Sequence, residues 1–239
     1  MTRDAGLLAK VGGVLLEGPK RPLPKPVRWL VGTDAFDMCA KDVAHRLYEP
    51  LSRNMDKLGA ILSAPVETVV CDDDSSLVGW FDVFRTCQAH EVWQTHGDWV
   101  REMHPKFGPG VNDRFEMASQ ITDAEVAVMQ RRRQLISAHL DELLADSVLM
   151  IPTACDMAPI KGKLSADELQ EFRTKTLALT SIAGLGGLPQ VTIPVPATAD
   201  DAQAPIGLSL VGPRDSDEAL LALASKISAA MNPTGTSSP

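Results

Sequence analysis

Apolar residues in this chain form short continuous runs separated by stretches with helical spacing. The run Ser147 to Pro152 is apolar at nearly every position, which is typical of a strand in a sheet that is covered on both faces. Shorter runs of the same kind also predict strands. The predicted strands are 27–33, 66–71, 147–152, 190–195 and 206–211.

Helical spacing fills the intervals between these runs. The first predicted helix covers residues 1–16, with Leu7, Leu8, Val11 and Leu15 on one side. Asp34 is placed to cap a second helix that reaches residue 59 or 63, and Asp72 to Ser75 supply the cap of a third that runs towards Trp93. The triplet His96-Gly97-Asp98 is then predicted to turn the chain.

The later helices have clearer boundaries. Thr122-x-x-Glu125 and Ser165-x-x-Glu168 are capping boxes, and glycines 184, 186 and 187 predict where the second of these helices ends. A last helix follows Asp215 to Asp217. Strands that alternate with helices indicate a layered α/β fold with no internal domain boundary over residues 1–231, and residues 232–239 are expected to form a disordered tail.

Composition and charge exclude several classes of partner. The 239 residues carry a formal net charge of −8, which argues against nucleic acid as a partner, and the run Arg131 to Arg133 is interpreted as a solvated helix face. No apolar run approaches the roughly 18 residues of a membrane helix, and no signal peptide is evident. Four scattered cysteines are typical of reduced thiols. We therefore expect a cytoplasmic protein that contacts neither membrane nor nucleic acid.

Residue patterns alone indicate no active site, metal or cofactor. His90 and His96 are six residues apart, whereas a helical metalloprotease pair needs a spacing of four. Ser209 lies in Gly-Leu-Ser-Leu-Val, which lacks the second glycine of a nucleophile elbow, so it is interpreted as a packed strand residue. The run Gly184-Leu185-Gly186-Gly187 precedes a strand and does not follow one, unlike a dinucleotide-binding loop. No catalytic residue, metal ligand or cofactor site is predicted.

Cys155 is the best candidate for a nucleophile among the cysteines. It follows the end of a predicted strand, where α/β sheets tend to place ligands. No histidine lies near it in sequence, and an unactivated thiol is a poor nucleophile at neutral pH. A position in the wall of a pocket is therefore favoured over a catalytic role.

The last ninety or so residues carry an ordered set of short motifs that is similar to a known family. The motifs are Val148 to Thr153, Ala158-Pro159, Thr180 to Gly184, Gly187 to Pro194, Pro205 to Pro213 and Asp217-x-x-Leu220-Leu221. This set resembles the C-terminal region of amidase-signature enzymes, which hydrolyse carboxamides. Ala89 to Trp99 and Arg114-Phe115 resemble the branch that contains plant indole-3-acetamide hydrolases and their bacterial relatives.

The resemblance implies a partial amidase-signature fold, with a mixed central sheet and helices on both faces. It also implies a Ser-cisSer-Lys triad, in which lysine deprotonates a bridging serine that activates the nucleophilic serine. The only adjacent serines before the tail are Ser75-Ser76, which follow three aspartates and lack a glycine turn. We reject them as the catalytic pair, so no catalytic residue can be transferred and Met1 is expected to fall just after the catalytic half.

What the resemblance does transfer is a set of pocket residues. These substrate-binding candidates are Trp93, Thr153, Ala154, Cys155, Ile182 and Gln190. The alternative is that these residues only pack at the ends of the sheet.

Two functional hypotheses remain open. The first is the C-terminal part of an amidase that acts on a small-molecule amide, inactive unless an N-terminal half completes it. The second is a non-catalytic truncated paralogue with a binding or interaction role. Because part of a central sheet would leave an unpaired edge, we also expect self-association through that edge.

Overall fold

The computed structural model describes residues 2, 4–18, 20–25, 27–71, 76–108, 110–195 and 204–231. The elements in these ranges are α1 (Ala5–Leu15), β1 (Val27–Gly32), α2 (Thr33–Asp37), α3 (Lys41–Arg53), α4 (Met55–Leu58), β2 (Leu62–Thr68), α5 (Leu77–Met103), α6 (Val111–Gln120), α7 (Asp123–Leu143), β3 (Ser147–Pro152), α8 (Ala166–Gly186), β4 (Gln190–Val195), β5 (Ile206–Val211) and α9 (Asp217–Met231). The predicted tail and the predicted cap at Asp72 to Ser75 lie outside the described residues.

The five strands form one mixed sheet with the order β2-β1-β3-β5-β4. β1 runs parallel to both β2 and β3, whereas β5 is antiparallel to both β3 and β4. The predicted α/β fold with a mixed central sheet is therefore confirmed.

Helices cover both faces of this sheet. Val148 and Met150 of β3 join a core formed with α3, α4 and α9, while Leu149 and Ile151 join a second core formed with α5, α7 and α8. Because successive side chains of a strand point to opposite faces, a strand between two cores must be apolar throughout. This arrangement explains the continuous apolar run of β3.

The region after β1 differs from the prediction. The expected single helix is divided into α2, α3 and α4. Asp34 lies inside α2, and its carboxylate accepts hydrogen bonds from the backbone N–H groups of Val70 (2.9 Å) and Cys71 (3.0 Å). β2 spans Leu62–Thr68, so it begins four residues earlier than predicted and ends before Val70 and Cys71.

α5 is longer than predicted. The expected turn at His96 to Asp98 is wrong, since the helix continues to Met103 and ends at His104 in the left-handed conformation with φ of 43°. A Cβ added at Gly97 would lie 3.0 Å from ring atoms of Trp93. Gly97 thus permits the indole to lie against its own helix.

α1 buries a different side from the predicted one. Gly12 is buried, and an added Cβ there would come within 2.5 Å of Leu221 on α9, while Leu8 packs against the core of that face. Leu7, Val11 and Leu15 are exposed. Close approach at a glycine therefore determines how α1 packs on α9.

Arg214, just after β5, connects three elements. Its guanidinium donates to the carbonyl oxygens of Gly186 (2.7 Å) and Gly187 (3.3 Å), and to the carboxylate of Asp141 on α7 (3.1 Å). Gly187 ends α8 in the left-handed conformation with φ of 61°. Three residues later, at Gln190, the chain enters β4.

None of the helices in the described part of the chain combines the length and the apolarity that crossing a bilayer requires.

Candidate functional site

An open cleft of about 780 Å³ lies at one end of the sheet, between the start of α1, the loop after β3, α8, and strands β4 and β5. It is larger than the cavity of about 520 Å³ between the end of α1 and the start of α9. The residues that line the cleft are Thr2, Asp4, Ala5, Leu8, Thr153, Ala154, Asp156, Ala158, Phe172, Gln190, Val191, Thr192, Pro194, Pro205, Ile206, Gly207 and Leu221.

The cleft includes the carboxyl end of β3, where Thr153 and Ala154 leave the sheet. Ligands of open α/β sheets commonly bind just beyond the carboxyl ends of strands. The backbone N–H of Thr153 donates to the carbonyl oxygen of Gly207 (3.0 Å), which holds this loop against β5. The position of the cleft is therefore typical of a small-molecule site.

Four neutral polar side chains are hydrogen-bonded to one another in the cleft region. The hydroxyl of Ser209 lies 2.8 Å from that of Thr153 and 3.2 Å from that of Thr192. The side-chain amide of Gln190 donates to Ser209 Oγ over 2.8 Å. We call these four residues the polar cluster, and Ser209, which is completely buried, is its centre.

The strand geometry brings the polar cluster together. Gln190 and Thr192 are two residues apart on β4, so both side chains point to the same face. Thr192 is directly opposite Ser209 in the antiparallel pairing of β4 with β5, and Ser209 is also opposite Ile151 of β3. The cluster thus connects β4, β5 and the residue that follows β3. It lies on the face of the sheet that α5, α7 and α8 cover elsewhere.

Gln190 retains hydrogen-bonding capacity. Ser209 takes one of its amide hydrogens, while its Oε1 accepts no hydrogen bond from any described residue. A glutamine side chain has two N–H donors and a carbonyl acceptor, the same groups that a primary carboxamide presents. Gln190 is therefore a half-buried, anchored amide with a free acceptor at the edge of the cleft.

Cys155 lies behind the cleft wall and is buried. Its sulfur is 3.5 Å from the hydroxyl of Thr176 and 3.6 Å from the carbonyl oxygen of Phe172, both on α8. No described histidine hydrogen-bonds to this thiol. The geometry therefore provides no base that could activate it.

Cys39 approaches the same loop from the other side. Its thiol donates to the carbonyl oxygen of Ala154 over 3.5 Å, and the N–H of Ala40 donates to the carbonyl oxygen of Cys155 over 3.0 Å. Burial, followed by the nearby Cys155 and Asp156, raises the pKa of the Cys39 thiol from 9.0 to about 12. Cys39 is therefore a neutral thiol at physiological pH and not a nucleophile.

The six predicted pocket residues do not all lie together. Thr153, Ala154 and Gln190 line the cleft, whereas Cys155 and Ile182 are buried in the core beside it. Trp93 lies on α5, where Arg101 sits 5.2 Å from its ring centroid, and it is not among the described residues that line the cleft. A role in substrate binding stays a prediction for each of the six.

Sequence reasoning missed Thr192 as a site residue and interpreted Ser209 as a packed strand residue. Ser209 does lie in a strand and is buried, yet it also organises the polar cluster. The two-residue spacing of Gln190 and Thr192 was a usable signal. Their partner on β5 depends on strand register, which the sequence does not display.

The described residues contain no group of three histidine, cysteine, aspartate or glutamate side chains placed to hold a metal ion.

Comparison with known proteins gives a consistent result. The family model described as Amidase matches residues 33–221. Amidase 1 of Arabidopsis thaliana is 29% identical over 95% of this chain and 58% of its own length. The chloroplastic outer envelope protein 64 of the same plant is 25% identical over 92% of this chain and 40% of its own length.

A solved structure shows the same fold. Allophanate hydrolase of Kluyveromyces lactis superposes with a TM-score of 0.74 at 21% identity, over 93% of this chain and 36% of that protein. The chain thus spans about half the length, or less, of the relatives that it matches.

Proposed function

The chain belongs to the amidase family, and we propose that it forms part of a domain that hydrolyses the C–N bond of a carboxamide, with water, to a carboxylate and ammonia. Within that domain the cleft beside β4 is the part of the substrate site that this chain contributes. The main support is Gln190, which is anchored to Ser209 and lines the cleft with an unused carbonyl oxygen.

A carboxamide fits the polar cluster for a chemical reason. A primary amide group has a carbonyl acceptor and two N–H donors, and Gln190 can pair with it through its free carbonyl oxygen and the N–H that Ser209 does not take. Thr153 and Thr192 are bound to Ser209 and to each other, so the cluster is held in place before a ligand arrives. A site fixed in this way loses little conformational entropy on binding.

The nucleophile has no candidate among the adjacent serines of this chain. The resemblance implies a Ser-cisSer-Lys triad, yet the adjacent serines of this sequence are only Ser75-Ser76 and Ser237-Ser238. Ser76 caps α5, its hydroxyl accepting from the N–H of Gly79 over 3.3 Å, whereas the other three lie outside the described residues. We propose that turnover requires a polypeptide segment that carries the triad and is not among these 239 residues.

Measurement of ammonia release tests this function. Indole-3-acetamide is a suitable substrate, because the Ala89 to Trp99 segment resembles that of indole-3-acetamide hydrolases. Benzamide serves as a simple aryl amide. The purified chain should release no ammonia from either compound, and it should gain activity when a triad-bearing N-terminal half from a family relative is supplied.

A serine-directed fluorophosphonate provides the second measurement. In the active mixture the label should map to the added polypeptide. Turnover by the chain alone, with the label on one of its own serines, would contradict the proposed division of roles. A mixture that binds together but stays inactive would contradict the hydrolytic function itself.

We also propose that the isolated chain self-associates. β4 and β2 each pair with a single neighbour among the described strands, and both therefore present an edge. Val66 and Val69 near the β2 edge are about half exposed. Sedimentation at increasing concentration should show association, and a single monomeric species that does not bind an apolar dye would overturn this expectation. The cytoplasmic location expected from the sequence stays a prediction.

A further inference from the structure

The cleft combines apolar walls with negative charge. Leu8, Phe172, Pro194, Ile206 and Leu221 provide much of its apolar surface. Two of its lining residues are charged at neutral pH, and both are aspartates, Asp4 at the start of α1 and Asp156 in the loop after β3. None of the described lining residues is a lysine, arginine or histidine.

Each aspartate is fixed by a local hydrogen bond. Oδ1 of Asp4 accepts from the N–H of Leu7 over 2.7 Å and caps α1. Oδ1 of Asp156 accepts from the N–H of Met157 over 2.6 Å. These bonds orient the two carboxylates without supplying a cation to balance their charge.

Among the residues that the structure describes, neither the nearby helix end nor the nearby lysine offsets this charge. The N-terminus of α1 would favour an anion, but the carboxylate of Asp4 already occupies that position. Lys175 lies one turn beyond Phe172 on α8, and its ammonium is 2.7 Å from the carboxylate of Glu171. The polar cluster is neutral, and its hydroxyl groups are directed at one another.

We infer that this cleft selects amides whose acyl group is apolar and uncharged or cationic, and that it discriminates against amides that carry a carboxylate. The inference rests on the proposed function, since it concerns the acyl group of the same substrate. An anionic group held several ångströms from two exposed carboxylates should bind about three- to tenfold more weakly at low salt.

A matched set of benzamides tests the inference directly. The three probes are 4-(hydroxymethyl)benzamide, 4-(aminomethyl)benzamide and 4-carboxybenzamide, which differ chiefly in charge at one position. Dissociation constants for the purified chain are measured by ligand-observed NMR in 20 mM and 500 mM NaCl. The carboxylate probe should bind most weakly, and the difference should shrink at high salt.

Two variants of equal net charge locate the effect. Asp156→Asn should reduce the discrimination against the carboxylate probe, whereas Asp98→Asn, at an exposed position of α5 away from the cleft, should leave it unchanged. Equal binding of all three probes, or equal behaviour of the two variants, would overturn the inference while leaving an amide-binding cleft in place. If the neutral probe fails to bind, the proposed function of the cleft fails as well, so the two failures can be told apart.

Discussion

Strands β3 and β4 each have six residues and belong to the same sheet, yet they are buried in different ways. All six residues of β3 are buried, because helices lie on both faces. In β4 only Val191, Ile193 and Val195 are buried, and they face the core formed with α9. Its other face carries Thr192 and Pro194, which line the cleft. One strand is therefore covered on both faces, while the other leaves one face open to the cleft.

The largest expected effect is in β3. Leu149→Ala removes a completely buried side chain from the core that the sheet forms with α5, α7 and α8, and it should lower the free energy of unfolding by about 2–5 kcal/mol. The measurement is urea denaturation followed by circular dichroism. Thr192→Val on β4 is the comparison, and the loss of its hydrogen bonds to Thr153 and Ser209 should lower this free energy by only about 0.5–1.5 kcal/mol. Similar losses for the two variants would break the comparison.

An intermediate effect is expected at Ser209, where the two kinds of strand meet. Ser209→Ala leaves the amide of Gln190 and the hydroxyls of Thr153 and Thr192 without their shared partner. Loss of buried hydrogen bonds should reduce the free energy of unfolding by about 1–3 kcal/mol. Binding of the neutral benzamide should weaken as well, since Gln190 loses its anchor.

Ser119→Ala is the matched control for that change. Ser119 is exposed on α6, and its one hydrogen-bond partner in the described part of the chain is the carbonyl oxygen of Glu116 in the same helix. It should alter the free energy of unfolding by less than about 0.5 kcal/mol. If Ser209→Ala is equally mild and binds the amide normally, the polar cluster does not organise the site.

The smallest expected effect is a change in stability at alkaline pH, and it concerns Cys39, beside the loop that follows β3. Its pKa is raised in the folded protein, from 9.0 to about 12, because burial disfavours the thiolate. The neutral thiol therefore contributes stability that is complete below pH 9 and is lost as the pH rises towards 12. Between pH 8 and 10.5, the thermal midpoint should fall more steeply for the natural protein than for Cys39→Ala. Parallel curves would contradict this account.

Much of the sheet was predictable because its signals are local. Strands β3, β4 and β5 were predicted from apolar runs, which reflect burial of one or both faces of each strand. The two capping boxes lie where α7 and α8 begin. Each of these signals is confined to a few consecutive residues. No knowledge of distant contacts is needed to recognise them.

The remaining elements depend on contacts that a linear pattern does not display. Gly97 suggested a turn, but it accommodates the Trp93 ring within a continuous α5. Asp34 suggested a helix cap, but it binds the backbone at Val70 and Cys71. Gly97 therefore makes room for a side chain of its own helix, and Asp34 makes a contact with a distant segment.

The site was predictable to the same extent. Thr153, Ala154 and Gln190 were named from family motifs, and they line one cleft. Thr192 and Ser209 joined them only through the pairing of β4 with β5. The two aspartates of the cleft come from segments more than 150 residues apart, so their proximity could not be inferred from the sequence.

Arg214 gives the cleft a remote point of control. Its side chain donates hydrogen bonds to the last carbonyl groups of α8 and so fixes the position of Gly187. Gly187 is three residues before Gln190, the first residue of β4. Substitutions at this arginine, or at its partner Asp141, would thus displace Gln190 although neither residue lines the cleft. In a search for natural variants with altered specificity, this surface ion pair is a place to look as well as the cavity walls.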